Sequence, residues 1–144
     1  MRAGYLTLET HPAHPGLVRL RGLEAAPPTP ARPPADGDAP TLRFAARFSD
    51  LDAALMHFHS GLRRALVDLD GQLYRAPLGD AVAVAEAIEL PHRRVFIDPA
   101  LAHDQRLANT VETLHRRHRR WDRFFNAVGI AALVMLAIKA LFGI

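Results

Sequence analysis

Residues 124–144 read FFNAVGIAALVMLAIKALFGI, an apolar or small-residue run interrupted only by Asn126 and Lys139. At ~1.5 Å rise per residue such a helix is roughly 30 Å long, the thickness of a bilayer's hydrocarbon core. Residues 127–138 carry no side chain that needs water. Asn126 near one end can meet headgroups, and Lys139 near the other can snorkel its ammonium outward. A helix apolar on every side belongs either deep inside a large protein or in lipid. A chain of 144 residues has too little mass to surround one. The stretch therefore predicts a transmembrane helix.

The preceding residues set its orientation. Residues 114–123 read LHRRHRRWDR, with Arg116, Arg117, Arg119, Arg120 and Arg123 against the single acid Asp122. Positive flanks stay on the cytoplasmic side. The expected layout is a tail-anchored, single-pass protein of a bacterial inner membrane, with its N-terminal domain in the cytoplasm. Trp121 falls at the join, where an amphipathic indole rests at the interface. The first residues, MRAGYLTLE, hold no apolar core of signal-peptide length. Membrane-interface residues are thus Arg116, Arg117, Arg119, Arg120, Trp121, Arg123 and Lys139, with anionic headgroups as the expected lipid partner.

Three segments follow from this reading: a small α+β domain over 1–98, a basic helical stalk over 99–123, and the span over 124–144. About 100 residues suffice for one domain with a modest core. Cysteine is absent, which excludes disulfides, thiolate nucleophiles and cysteine-based metal sites. The formal net charge of +3 and pI near 10.2 owe much to the arginine run. Lys139 is the only lysine among 18 basic residues, a bias expected of a GC-rich bacterial genome.

Within 1–98, residues 5–9 (YLTLE) alternate with Leu6 and Leu8 inward, and Leu17–Leu23 returns with Val18 and Leu20 inward. The HPAHPG cluster between them forms a turn. Proline-rich 25–40 predicts an extended, mobile loop. Thr41–Phe48 alternates with Leu42, Phe44, Ala46 and Phe48 on one face. Ser49 or Asp50 caps a helix reaching about Leu69, with a stripe of Leu51, Leu55, Phe58, Leu62, Ala65, Leu66 and Leu69. A short strand over 72–78, a helix over 80–90 and a strand over 93–98 complete the domain. Asp98-Pro99 then opens a helix that continues without a break into the span. The expected fold is a two-layer α+β domain of order ββ-loop-βαβα-β, its mixed or antiparallel sheet packed on helices and followed by one long helix.

Chemistry-bearing patterns are sparse. His57 and His59 lie two apart on a helix and point in different directions. His115 and His118 share a face but stand among five arginines that repel a divalent cation. His11 and His14 supply two ligands, short of a metal site without a third. No G-x-S-x-G and no glycine-rich phosphate loop is present. No catalytic, cofactor-binding or metal residue is therefore assigned.

Arg19, Arg21, Arg43 and Arg47 alternate outward from neighbouring strands and form a possible anion-binding face. It suits headgroups or an acidic partner better than nucleic acid, because the aromatic strand pattern of RNA binders is missing. Leu107, Val111 and Leu114 form an apolar line along the stalk, leading to the small-xxx-small pair Ala127 and Ala131. That line predicts contact with an integral membrane protein or a second copy of the chain. The function expected is non-enzymatic: an accessory, assembly or scaffolding subunit of a membrane complex. The alternatives are a histidine-based metal- or ligand-using enzyme, and a membrane-tethered module binding nucleic acid or anionic lipid through the arginine face.

Overall fold

The computed structural model describes residues 1–29 and 39–142. They form an α+β fold with a six-stranded antiparallel sheet, in the order β4-β5-β2-β1-β3-β6, and a long C-terminal apolar helix. The strands are β1 (Gly4–Thr10), β2 (Leu17–Leu23), β3 (Thr41–Phe48), β4 (Leu66–Asp68), β5 (Leu73–Arg75) and β6 (His92–Ile97). The helices are α1 (Leu51–Gly61), α2 (Leu78–Glu86), α3 (Pro99–Ala102) and α4 (Gln105–Phe142). Two compact units divide the chain, Met1–Val111 and Glu112–Ile144. The first therefore takes in residues 99–111, which the sequence reading placed in a stalk.

Period-two alternation does what its pattern dictates. Leu6 and Leu8 of β1 stand opposite Gly22 and Leu20 of β2 and Ala46 and Phe44 of β3. Leu6, Leu8, Leu20, Phe44, Ala46 and Phe48 are all buried to 2% exposure or less. Helices α1 and α2 cover this face. Leu51, Ala54 and Phe58 of α1 and Ala81, Val82 and Ala85 of α2 are fully or almost fully buried. Phe58 meets Tyr74 of β5 edge-on at 5.3 Å. Arg94 of β6 makes two hydrogen bonds to Glu86 of α2, at 2.6 and 2.9 Å.

Asp50 is the N-cap of α1, its carboxylate accepting from the Ala53 N–H at 3.3 Å. That helix ends at Gly61, well before Leu69. A Cβ on Gly61 would stand 2.7 Å from Val84 Cγ1, so glycine there lets α1 and α2 approach. A 3-10 turn at Arg63–Ala65 then feeds β4, a three-residue strand paired with β5. Leu66 is consequently a strand residue, and Leu69 is 65% exposed in the turn rather than part of a helical stripe. Helix α2 begins at Leu78 and ends at Glu86, earlier than Pro91 would require.

The helix expected to run unbroken from Pro99 is interrupted. Asp98 caps the four-residue α3, and Asp104 restarts the chain as α4, accepting from the Arg106 N–H at 2.9 Å. Two helix-initiating aspartates six residues apart divide what apolar periodicity joined. The proline-rich loop expected over 25–40 falls mostly on residues outside the described set. Its described parts, 25–29 and 39–40, hold no helix or strand.

Candidate functional site: the apolar helix and its basic collar

Among the described residues one helix is long and apolar enough to cross a membrane, Gln105–Leu141 within α4. Its large apolar side chains are exposed: Leu133 68%, Met135 75%, Leu136 64% and Leu141 81%. A soluble protein does not leave such a continuous surface to water. This apolar helix is compatible with a tail anchor, and it points to membrane association.

The collar is built by helical spacing. Trp121, Phe124 and Phe125 stand at i, i+3 and i+4, so their rings meet on one face. Trp121 stacks on Phe125 at 5.8 Å and lies edge-on to Phe124 at 6.3 Å. The two phenylalanine rings are 6.0 Å apart. Arg116, Arg117, Arg119, Arg120 and Arg123 are exposed around them, and Arg116 pairs with Glu112 one turn earlier. Lys139 lies in the last turn. Trp121 was legible from the sequence alone. The two rings that complete its cluster were read there only as apolar length.

The apolar line Leu107, Val111, Leu114 is not uniform. Leu107 is buried, 8% exposed, and belongs to the Met1–Val111 unit, whereas Val111 and Leu114 are half-buried. Leu107 is thus taken up by its own fold; Val111 ends the same unit, and both it and Leu114 are only partly exposed. Ala127 and Ala131 are exposed on α4.

The arginine face is regrouped by two bulges. Register shifts fall between Leu8 and Glu9 where β1 meets β3, and between Ala45 and Ala46 where β3 meets β6. Arg43 lies at the first, and its guanidinium is engaged. Its Nε donates to Thr10 Oγ1 at 2.9 Å, and its Nη1 pairs with Asp98. Arg19, Arg21 and Arg47 remain exposed opposite Glu9, Thr7 and Tyr5 of β1. Arg93 stands directly opposite Arg47 and extends the group. Glu9 is the acid in their midst, 3.5 Å from Arg21 and with Oε2 buried. Thr7 and Ala45, at the centre of this face, are fully buried.

The Arg43 end of the sheet also holds a pocket of about 390 Å³. The β1–β2 turn supplies His11, Pro12, His14, Pro15 and Gly16, while β3 supplies Thr41 and Arg43. Ala76, Pro77 and Leu78 close it where β5 passes into α2. Gly16 has φ +78°, which a glycine adopts freely and which lets the tight turn close. Asp98 fixes Arg43 here. Partial burial pushes its carboxyl up, but hydrogen bonds from Arg43 and the Ala100 N–H outweigh this and hold it below the usual carboxylate range. His57 is exposed on α1, and the His59 Nδ1 shares a hydrogen bond with the Tyr74 hydroxyl at 3.1 Å. No group of three or more metal-ligating side chains occurs among the described residues. Comparison of the chain with protein-family models, with curated proteins and with solved structures found no match in any of the three.

Proposed function

We propose that this chain is a tail-anchored, single-pass membrane protein that acts without enzymatic chemistry, as an accessory, assembly or scaffolding subunit of a membrane complex. The observation that carries the reading is the exposed apolar helix α4 with its arginine and tryptophan collar. Such a helix makes the α+β domain a resident of the bilayer surface. Tethering raises the domain's effective concentration toward membrane partners without any new contact.

The arginines on the N-terminal flank of the span favour a cytoplasmic domain, and a bacterial inner membrane is the location proposed. Val111, Leu114, Ala127 and Ala131 are the positions proposed to meet an integral membrane protein or a second copy of the chain. The small alanines permit close helix approach. Copurification from membranes in mild detergent tests the reading. A defined membrane protein should accompany the wild-type chain and be depleted by Val111→Ser with Leu114→Ser. Recovery of the chain alone, or with the same partners in that variant, would contradict it.

A further inference from the structure

We propose that the cross-strand pair Arg47 and Arg93 is a docking point for anionic lipid headgroups. The fold puts these two residues directly opposite each other in the β3–β6 ladder, and both are exposed. Alternation fixes the face they share. Ala46 and Phe48, on either side of Arg47, are buried in the core, so Arg47 projects from the opposite side of the sheet. Tyr5 of β1, half-buried, stands opposite Arg47 on its other flank. One row across three strands therefore reads Tyr5, Arg47, Arg93.

What singles out the pair is its lack of an acid. Arg2 pairs with Glu24 and Asp52, Arg21 with Glu9, Arg43 with Asp98 and Arg94 with Glu86. Among the described residues Arg47 and Arg93 have neither an ion-pair nor a hydrogen-bond partner, and Arg19 of β2 has none either. Strand β6 sorts its two adjacent arginines: Arg94 binds Glu86 through two hydrogen bonds, while Arg93 is left to solvent. Glu9, the acid of this face, stands opposite Arg19 and Leu42 farther along β1 and is taken by Arg21. Like charges directly opposite in an antiparallel pair destabilise it. An anion between the two guanidiniums relieves that repulsion, and phosphate oxygens accept from both.

A headgroup surface suits the pair better than a small soluble anion. Strand β6 is the outermost strand, so a small ligand there would be held by two solvated cations alone. A plane of phosphates can engage Arg93, Arg47 and Arg19 together, and such contributions add. Docking of this kind rests on α4 being an anchor, which gives the domain a high effective concentration of headgroups. Each arginine near an anionic surface shifts the ratio of docked to undocked domain about fivefold, and two shift it about thirtyfold.

The test uses the full chain in lipid nanodiscs and its two tyrosines, ring-labelled for NMR. Tyr5 lies in the arginine row, whereas Tyr74 is buried in the core, 1% exposed, and serves as the internal reference. A gadolinium-bearing lipid in the disc broadens ring signals that come close to the headgroups. In discs of equal parts phosphatidylcholine and phosphatidylglycerol, Tyr5 should broaden far more than Tyr74. In phosphatidylcholine alone the excess should be small, and high salt should erase it in the mixed discs. Arg47→Gln with Arg93→Gln should abolish the lipid dependence while its urea midpoint stays at or above that of wild type, because repulsion has been removed. Arg47→Lys with Arg93→Lys keeps both charges and should keep the effect. Equal broadening of Tyr5 in the two lipids would overturn the proposal, as would a lipid dependence that survives the glutamine variant or is lost in the lysine variant. The anchor is read separately, from whether the chain enters phosphatidylcholine discs. If it does not, the chain is added to preformed mixed discs. Tyr5 broadening that the glutamine variant lacks then supports the pair without the anchor, and no broadening overturns both.

Discussion

Replacing Asp98 separates two contributions that one carboxylate makes. Asp98 pairs with Arg43 and caps α3 by accepting from the Ala100 N–H at 2.8 Å. A charge-assisted hydrogen bond is worth ~1.5–3 kcal/mol in a dry site. Here the Arg43 side chain is 36% exposed and that of Asp98 15%, so solvent screening reduces the pair to about 1 kcal/mol. The cap adds about 1 kcal/mol. Asp98→Asn keeps an acceptor at the cap and should cost about 1 kcal/mol, whereas Asp98→Ala should cost about 2 kcal/mol. In a domain of this size about 2 kcal/mol lowers Tm by roughly 10 °C.

Urea titration in mild detergent, read from the near-ultraviolet signal of buried Tyr74, measures both variants. Acid supplies a second arm. The folded-state pKa of Asp98 is lowered from 3.8, so its contribution is present above that value and lost as pH falls through the folded pKa. The gap between wild type and Asp98→Asn should therefore begin to narrow as pH falls below about 3.8. Equal stability of wild type and Asp98→Ala at neutral pH would refute the reasoning. So would a gap that persists unchanged in acid.

Further outcomes follow from other contacts. Gly61→Val should destabilise the domain by about 1–3 kcal/mol by forcing α1 from Val84, measured by the same urea titration. Leu133→Arg places a charge at the middle of the span, at ~2.5–3.5 kcal/mol, and should cut the membrane-integrated fraction on fractionation. Replacing Arg116, Arg117, Arg119 and Arg120 with Gln should remove the orientation bias, seen as protease access to the domain from both sides of sealed vesicles.

Much of the sheet was legible because alternation and burial are the same fact in an open antiparallel layer. Leu17–Leu23 and Thr41–Phe48 coincide with β2 and β3 for that reason. The end of α1 was not legible. Leu62, Ala65, Leu66 and Leu69 continue a helical period, but Gly61 packs against Val84, a contact between elements far apart in sequence. The break before α4 was hidden similarly, since periodicity across residues 99–121 outweighed the capping value of Asp104. The arginine face could be read as alternation, but not the bulge that hands Arg43 to Thr10 and Asp98. Nor could a single strand reveal that Arg47 and Arg93 would become neighbours. The His11–His14 turn was visible as a motif. Its pocket depends on β1, β3 and the start of α2 meeting at one end of the sheet, which only the fold discloses.

The central claim is that α4 anchors the chain in a bilayer. Flotation of the full chain with liposomes after alkaline extraction tests it most directly, beside a chain ending at Arg120 that retains the whole Met1–Val111 unit. The account predicts that the full chain stays with the lipid through extraction while the shortened chain remains in the aqueous fraction, folded. Release of the full chain by alkali would contradict it, as would flotation of the shortened chain to the same extent.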